Sequence, residues 1–132
     1  MTLDPVWLTA EIVRAIHAES VKMFGGPAGM RDDGLLESGL ERPRNAHAYQ
    51  SDRSLFELAA AYTMGPIKNN PFVDGNKRAG LLAANAFLAL NGYDFRPKED
   101  DIVSMITGAA AGEVDATALA EWFRENSRCV DQ

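Results

Sequence analysis

Cysteine is nearly missing from this 132-residue chain, where Cys129 stands alone. One thiol cannot form an internal disulfide, so nothing ties the chain to an oxidising compartment. Its place near the C-terminus makes it a tail thiol rather than a nucleophile. Basic charge is short as well. Thirteen Lys and Arg against nineteen Asp and Glu leave a formal net charge of −6. That excludes a broad, sequence-independent grip on nucleic-acid backbones while leaving room for one local basic site. Long apolar runs are also missing. The longest surrounds GLLAANAFLAL and falls short of the ~20 residues that span a bilayer. Asp4 and Glu11 interrupt the N-terminal stretch that a signal peptide would need. The expectation is a cytoplasmic protein with no membrane contact.

Strand signals are scarce too. Only VWL (6–8) and YDF (93–95) read as short extended pieces. What is present is a hydrophobic content of 46% and a charged content of 24%, which sets aside disorder, collagen and coiled coil. The length fits one domain over 1–132, able to bury roughly two-thirds of its unfolded surface. Thr9 caps a helix over about 10–23, with Ile12, Val13, Ile16 and Met23 spaced for one face. GGPAG (25–29) breaks it. Asp32 and Asp33 open a short helix, GLLESGLER, that Pro43 stops. PRNAHAYQS (43–51) then reads as a polar surface loop carrying His47 and Tyr49. Asp52 starts a helix that runs to about Lys68, with Leu55, Leu58, Ala59 and Tyr62 on one face. A helix over about 76–91 is apolar nearly all round, ends at Asn91-Gly92, and reads as the buried centre. Further helices follow over 102–111 and, capped by Asp115, over 116–127. The fold class is all-α, a compact helical bundle around a central hydrophobic helix with little or no strand.

One stretch resists that plain description: KNNPFVDGNKRAG, Lys68 to Gly80. It enters the most apolar helix, so free backbone N–H groups stand at its mouth and attract anions. Gly75 lets a ligand approach the chain without a side chain in the way. Asn76, Lys77 and Arg78 occupy the first helical turn, where cations oppose the helix dipole. A helix built only for stability would carry acids there, so the two cations point to an external anion, with phosphate the usual one. Asp74 is the one acid beside this mouth, placed to hold Mg²⁺ next to phosphate oxygens. Pro71 fixes φ and Phe72 can anchor the loop in the core. The plainer alternative is a solvated turn with a capping Asp, its cations paired to surface acids.

The order of residues is more specific than their composition. NPFVDGNKR resembles the core motif of the Fic/Doc family, HPFx(D/E)GN(G/K)R, at eight of nine positions. FGGPAGMRDDGLLESGLERP (24–43) looks like the stretch that precedes the motif in the Doc branch, and the resemblance covers roughly residues 3 to 126. It implies the Fic fold and transfer of part of a nucleotide to a hydroxyl of a target protein. Doc-like members move the γ-phosphoryl of ATP to a threonine of elongation factor Tu, which halts translation. It further implies Mg²⁺ on Asp74, phosphate on the loop N–H groups of Gly75 and Asn76, on the Asn76 side chain and on Arg78, and Phe72 as buried anchor. AMP-transferring members carry glycine where this chain has Lys77 and a second arginine where it has Leu81. Both departures point to the Doc branch and phosphoryl transfer, with AMP transfer as the alternative.

A third departure is Asn70, which stands where the family has its general-base histidine. Asparagine hydrogen-bonds but takes no proton near neutral pH. Loss of a general base costs ~10²–10⁴-fold in rate, whereas the groups implied to hold ATP lie elsewhere. The expectation is a chain that binds nucleotide and barely catalyses. An inactivating substitution, one base change from His, and a natural pseudoenzyme kept for antitoxin binding and co-repression both fit. His17 reads as a satisfied structural histidine. His47 reads as an exposed loop histidine, although the region is implied to be a flap that lines up the target, where it could touch substrate. The family's self-inhibitory (S/T)xxxE(G/N) helix is not matched, because Thr117 and Glu121 are followed by Trp122. Restraint is therefore expected from a separate Phd-like antitoxin, a DNA-binding repressor whose disordered tail folds on a groove of this chain. Contact with DNA would be indirect, through that partner.

Overall fold

The computed structural model describes residues 4–130. Its elements run α1 (Ala10–Phe24), α2 (Asp33–Tyr49), α3 (Leu55–Asn69), α4 (Asn76–Leu90), β1 (Tyr93–Phe95), α5 (Glu99–Ala110), α6 (Ala116–Glu125) and β2 (Ser127–Cys129). The fold is mostly helical, in agreement with the all-α reading. β1 and β2 pair antiparallel, with Asp94 opposite Arg128.

The apolar faces of these helices meet in one cluster that includes Val13, Leu36, Leu58, Tyr62, Phe72, Phe87, Leu119 and Phe123. The apolar α4 lies at the centre, but it shares that place with α3, which packs against α2, α4, α5 and α6. Small residues bring the two central helices together. A Cβ on Gly80 would stand 2.6 Å from the Thr63 carbonyl oxygen, and Thr63 Oγ1 donates to the Gly80 carbonyl at 3.2 Å. The contact holds the start of α4 firmly against α3, which fixes the position of the loop that joins them.

Several local expectations are corrected. Pro43 does not stop α2, and the stretch 43–49 is helical rather than loop. A helical proline removes one N–H, here the donor for the Gly39 carbonyl. That carbonyl faces Gly65 of α3 closely, 3.0 Å from where a Gly65 Cβ would stand, and Pro43 itself is fully buried. Tight helix packing thus outweighs the local proline signal. Ser54, not Asp52, caps α3, in a reciprocal capping box with Glu57. α5 starts at Glu99, whose acidic first turn Glu99-Asp100-Asp101 suits the helix dipole. The last helix ends at Glu125, and 127–129 form β2. YDF is a strand, whereas VWL is not.

Candidate functional site

The loop 70–75 joins the end of α3 to the start of α4, and α1 and the strap 25–32 wall it in. Asn70 closes α3 in the left-handed region (φ 49°, ψ 56°), its N–H donating to the Pro66 carbonyl. Asn tolerates that backbone better than most residues, and His shares the tolerance. Arg31 clamps the turn. Its Nε donates to the Asn70 carbonyl at 2.7 Å and its Nη2 to the Asn69 carbonyl at 2.8 Å. The backbone N–H groups of Arg31 and Asp32 donate to the Pro71 carbonyl at 2.7 and 3.0 Å, and the Val73 N–H donates to the Gly29 carbonyl at 3.2 Å.

Phe72 is 1% exposed. Its backbone is held by Asn76, whose Nδ2 donates to the Phe72 carbonyl and whose Oδ1 accepts from the Phe72 N–H, both at 3.0 Å. The Phe72 ring stacks on His17, centroids 3.8 Å apart and planes 8° from parallel. His17 Nε2 lies 2.7 Å from the Asp74 carbonyl oxygen. A carbonyl only accepts, so Nε2 carries the proton.

These bonds leave the loop polarised. The carbonyls of Asn69, Asn70, Pro71, Phe72 and Asp74 are all occupied by donors. The N–H groups of Gly75, Asn76 and Lys77 have no acceptor among the described residues. Gly75 caps α4 at φ 78° with no side-chain cap, and no acid lies in the first turn. Lys77 and Arg78 form no ion pair among the described residues. Arg78 instead donates to Ser20 Oγ at 3.4 Å and lies over the Phe24 ring at 4.8 Å. The solvated-turn alternative needed these cations paired to surface acids, and they are not.

All of this opens on a pocket of about 430 Å³. Asn70, Asp74, Gly75, Asn76, Lys77 and Arg78 line it together with His17 and Ser20 of α1 and Gly25 and Pro27 of the strap. Every polar residue singled out in the motif therefore reaches one cavity, while Pro71 and Phe72 lie buried behind it. Asp74 is exposed and stands alone, since no cluster of three or more His, Cys, Asp or Glu occurs among the described residues. One carboxylate suits an ion that keeps waters and arrives with phosphate oxygens, as Mg²⁺ does, rather than a preformed protein cage.

His47 does not join the site. It packs edge-on against Trp7, with ring centroids 5.5 Å apart, and lines a separate cleft with Leu90, Asn91 and Val130 at the far end of α4. The segment that embraces the motif loop is the strap 25–32, in which the residues gave a helix breaker and a Doc-branch resemblance but no contact with the loop. Arg31, Ser20 and the loop contact of His17 were missed as well. The pattern GGPAGMRD held the only sequence signal, glycines needed for positive φ at 25, 26 and 29.

Comparison with known proteins agrees with this geometry. The sequence model described as the Fic/DOC family matches residues 7–88, which include the whole loop. The chain is similar to "Protein kinase doc" of Escherichia phage P1, 31% identical over 117 residues that cover 89% of this chain and 92% of the relative. It is also similar to "Toxin Doc" of Mycolicibacterium smegmatis, 42% identical over 71 residues, 52% of this chain and 54% of the relative. With a match over most of its length and a Doc protein aligned along nearly all of it, this chain belongs to the Fic/DOC family.

Proposed function

We propose that this chain is a Doc-like toxin, a single-domain protein-kinase scaffold for moving the γ-phosphoryl group of ATP to a threonine of elongation factor Tu, and that Asn70 silences it. One observation carries the reading: a helix mouth whose first N–H groups have no acceptor and whose cations form no ion pair among the described residues, beside the residue that replaces the base. The free N–H groups of Gly75 and Asn76 with Arg78 hold the phosphates, acting where charge develops during transfer. The Asn76 side chain, expected to touch phosphate, instead has both its amide atoms on the Phe72 backbone and contributes by holding the loop closed. Asp74 would hold Mg²⁺, which when bound neutralises charge on the outer phosphates. Lys77 narrows the mouth and adds charge, which favours phosphoryl over AMP transfer. Asn70 lines the pocket where a target hydroxyl would enter, and it can orient that hydroxyl but not take its proton.

A Phd-like antitoxin is the proposed restraint. Apolar side chains stand exposed beside the pocket, among them Met23 (72%), Phe24 (62%) and Val103 (68%). Phe24 lies against Arg78, Val103 lines a hollow with Lys77 and Arg78, and Met23 adjoins Phe24, which together would offer a groove for an amphipathic tail helix that folds on docking. The acidic chain then meets DNA only through that partner. Asn70 also suits a second reading, a natural pseudoenzyme kept for antitoxin binding.

The test is intact-mass analysis of elongation factor Tu incubated with ATP and Mg²⁺, with this chain in one tube and its Asn70→His variant in the other. A phosphoryl-sized gain only with the variant is expected, at a rate ~10²–10⁴-fold above the parent. The left-handed backbone at 70 accepts histidine, so the variant should fold. An adenylyl-sized gain would overturn the role given to Lys77. No gain in either tube would shift the function to antitoxin binding.

A further inference from the structure

Among the described residues only three polar side chains are buried: His17, Ser20 and Thr63. Two of them lie three residues apart on α1, hence on one face, and both face the motif loop. Ser20 touches Arg78. His17 touches something less obvious, the main chain of Asp74. We propose that His17 is a positioning residue of the phosphate site, which fixes the 74–75 peptide so that the Gly75 N–H stays available to a bound phosphate. The proposal rests on the nucleotide reading above.

A trans peptide is planar, so its C=O and N–H point in opposite directions. Holding the Asp74 carbonyl against His17 therefore turns the Gly75 N–H away from α1. This peptide needs holding. Gly75 sits at φ 78°, and glycine resists rotation about φ less than any other residue. A flipped 74–75 peptide would aim the Asp74 oxygen where the N–H now points, setting an acceptor against phosphate oxygens. His17 is placed to prevent this. A Cβ on Gly75 would stand 3.5 Å from His17 Nε2, so the imidazole lies directly against the hinge. Stacking on Phe72 holds the ring plane, and burial to 4% exposure keeps water from replacing the bond. Core filling alone explains a flat ring here. It does not explain an N–H donor aimed at the peptide that begins the anion site.

Two variants separate ring from donor. His17→Phe keeps the ring and its stack and loses the N–H. His17→Gln loses the ring and keeps an N–H donor of similar reach. For the parent and both variants, three quantities are measured: the thermal midpoint, the ¹⁵N–¹H signals of Gly75 and Asn76, and the dissociation constant for ATP with Mg²⁺. His17→Phe is expected to stay folded, to shift or broaden the Gly75 amide signal, and to weaken binding about tenfold. His17→Gln should recover part of that affinity even where its thermal midpoint is lower. A Phe variant that binds like the parent and leaves the Gly75 signal unmoved would overturn the proposal. So would a Gln variant weakened more than the Phe variant. Absence of binding by the parent would sink the nucleotide reading, and the Gly75 signal would still decide whether His17 sets the loop.

Discussion

The starts of α3 and α4 face the same physical problem and resolve it oppositely. Each leaves N–H groups without intrahelical acceptors and concentrates positive dipole at its end. At α3 the Ser54 hydroxyl accepts from the Glu57 N–H, and the Glu57 carboxylate accepts from the Ser54 N–H. The protein satisfies that end by itself. At α4 the cap is Gly75, without a side chain to offer, followed by Lys77 and Arg78. Carbonyls on the approach are drawn away by Arg31, Asn76 and His17. Stability alone would favour the α3 arrangement in both places. At α4 the first N–H groups find no acceptor among the described residues, which supports the proposed anion site.

Substitutions can break that contrast, and the largest effect is expected at the open end. Arg78→Ala should lower affinity for ATP with Mg²⁺ by about a hundredfold, the scale of losing hydrogen bonds to a charged group. Its thermal midpoint should stay near the parent's, because Arg78 has only a Ser20 contact and the Phe24 ring to lose. Calorimetric titration measures the first and a thermal melt the second. An equal loss of both would make Arg78 a structural residue. At the closed end the pattern should invert. Ser54→Ala should cost about 1 kcal/mol of folding stability in urea titration, with nucleotide affinity unchanged. A drop in affinity there would mean the two ends are not independent. The smallest shift in stability is expected from Lys77→Glu, which makes α4 resemble its neighbour. A favourable dipole contact should add about 0.3–1 kcal/mol of stability, while ATP binding weakens. Stability and binding moving in opposite directions at one residue would be the sharpest sign that α4 is tuned for a ligand.

Much of this was legible in the residue order. Helix positions followed from apolar periodicity and caps such as Thr9 and Asp115, both of which accept from the backbone as their type predicts. The site was compact in sequence, since Asn70 to Arg78 form one loop and one helical turn, and local geometry brings such neighbours to one cavity. The failures have a common source. Pro43 stops helices in isolation, but it is buried where Gly39 packs on Gly65, and α2 runs through it to Tyr49, carrying His47 away from the site. Cys129 lies in a strand because β1, far back in sequence, offers it an edge. Arg31 and His17 carry no local sign of what they hold, since their partners are carbonyls 38 to 57 positions away.

The sequence by itself thus determined the helical class, the loop that opens on α4, and the absence of a proton acceptor at Asn70. These depend on backbone preferences and side-chain chemistry that act over a few residues. Tertiary structure decided which way the loop peptides point, which segment walls the pocket, and which cations stay unpaired. Those depend on hydrogen bonds and contacts between α1, the strap and α4, and such partners are chosen only once the helices have packed.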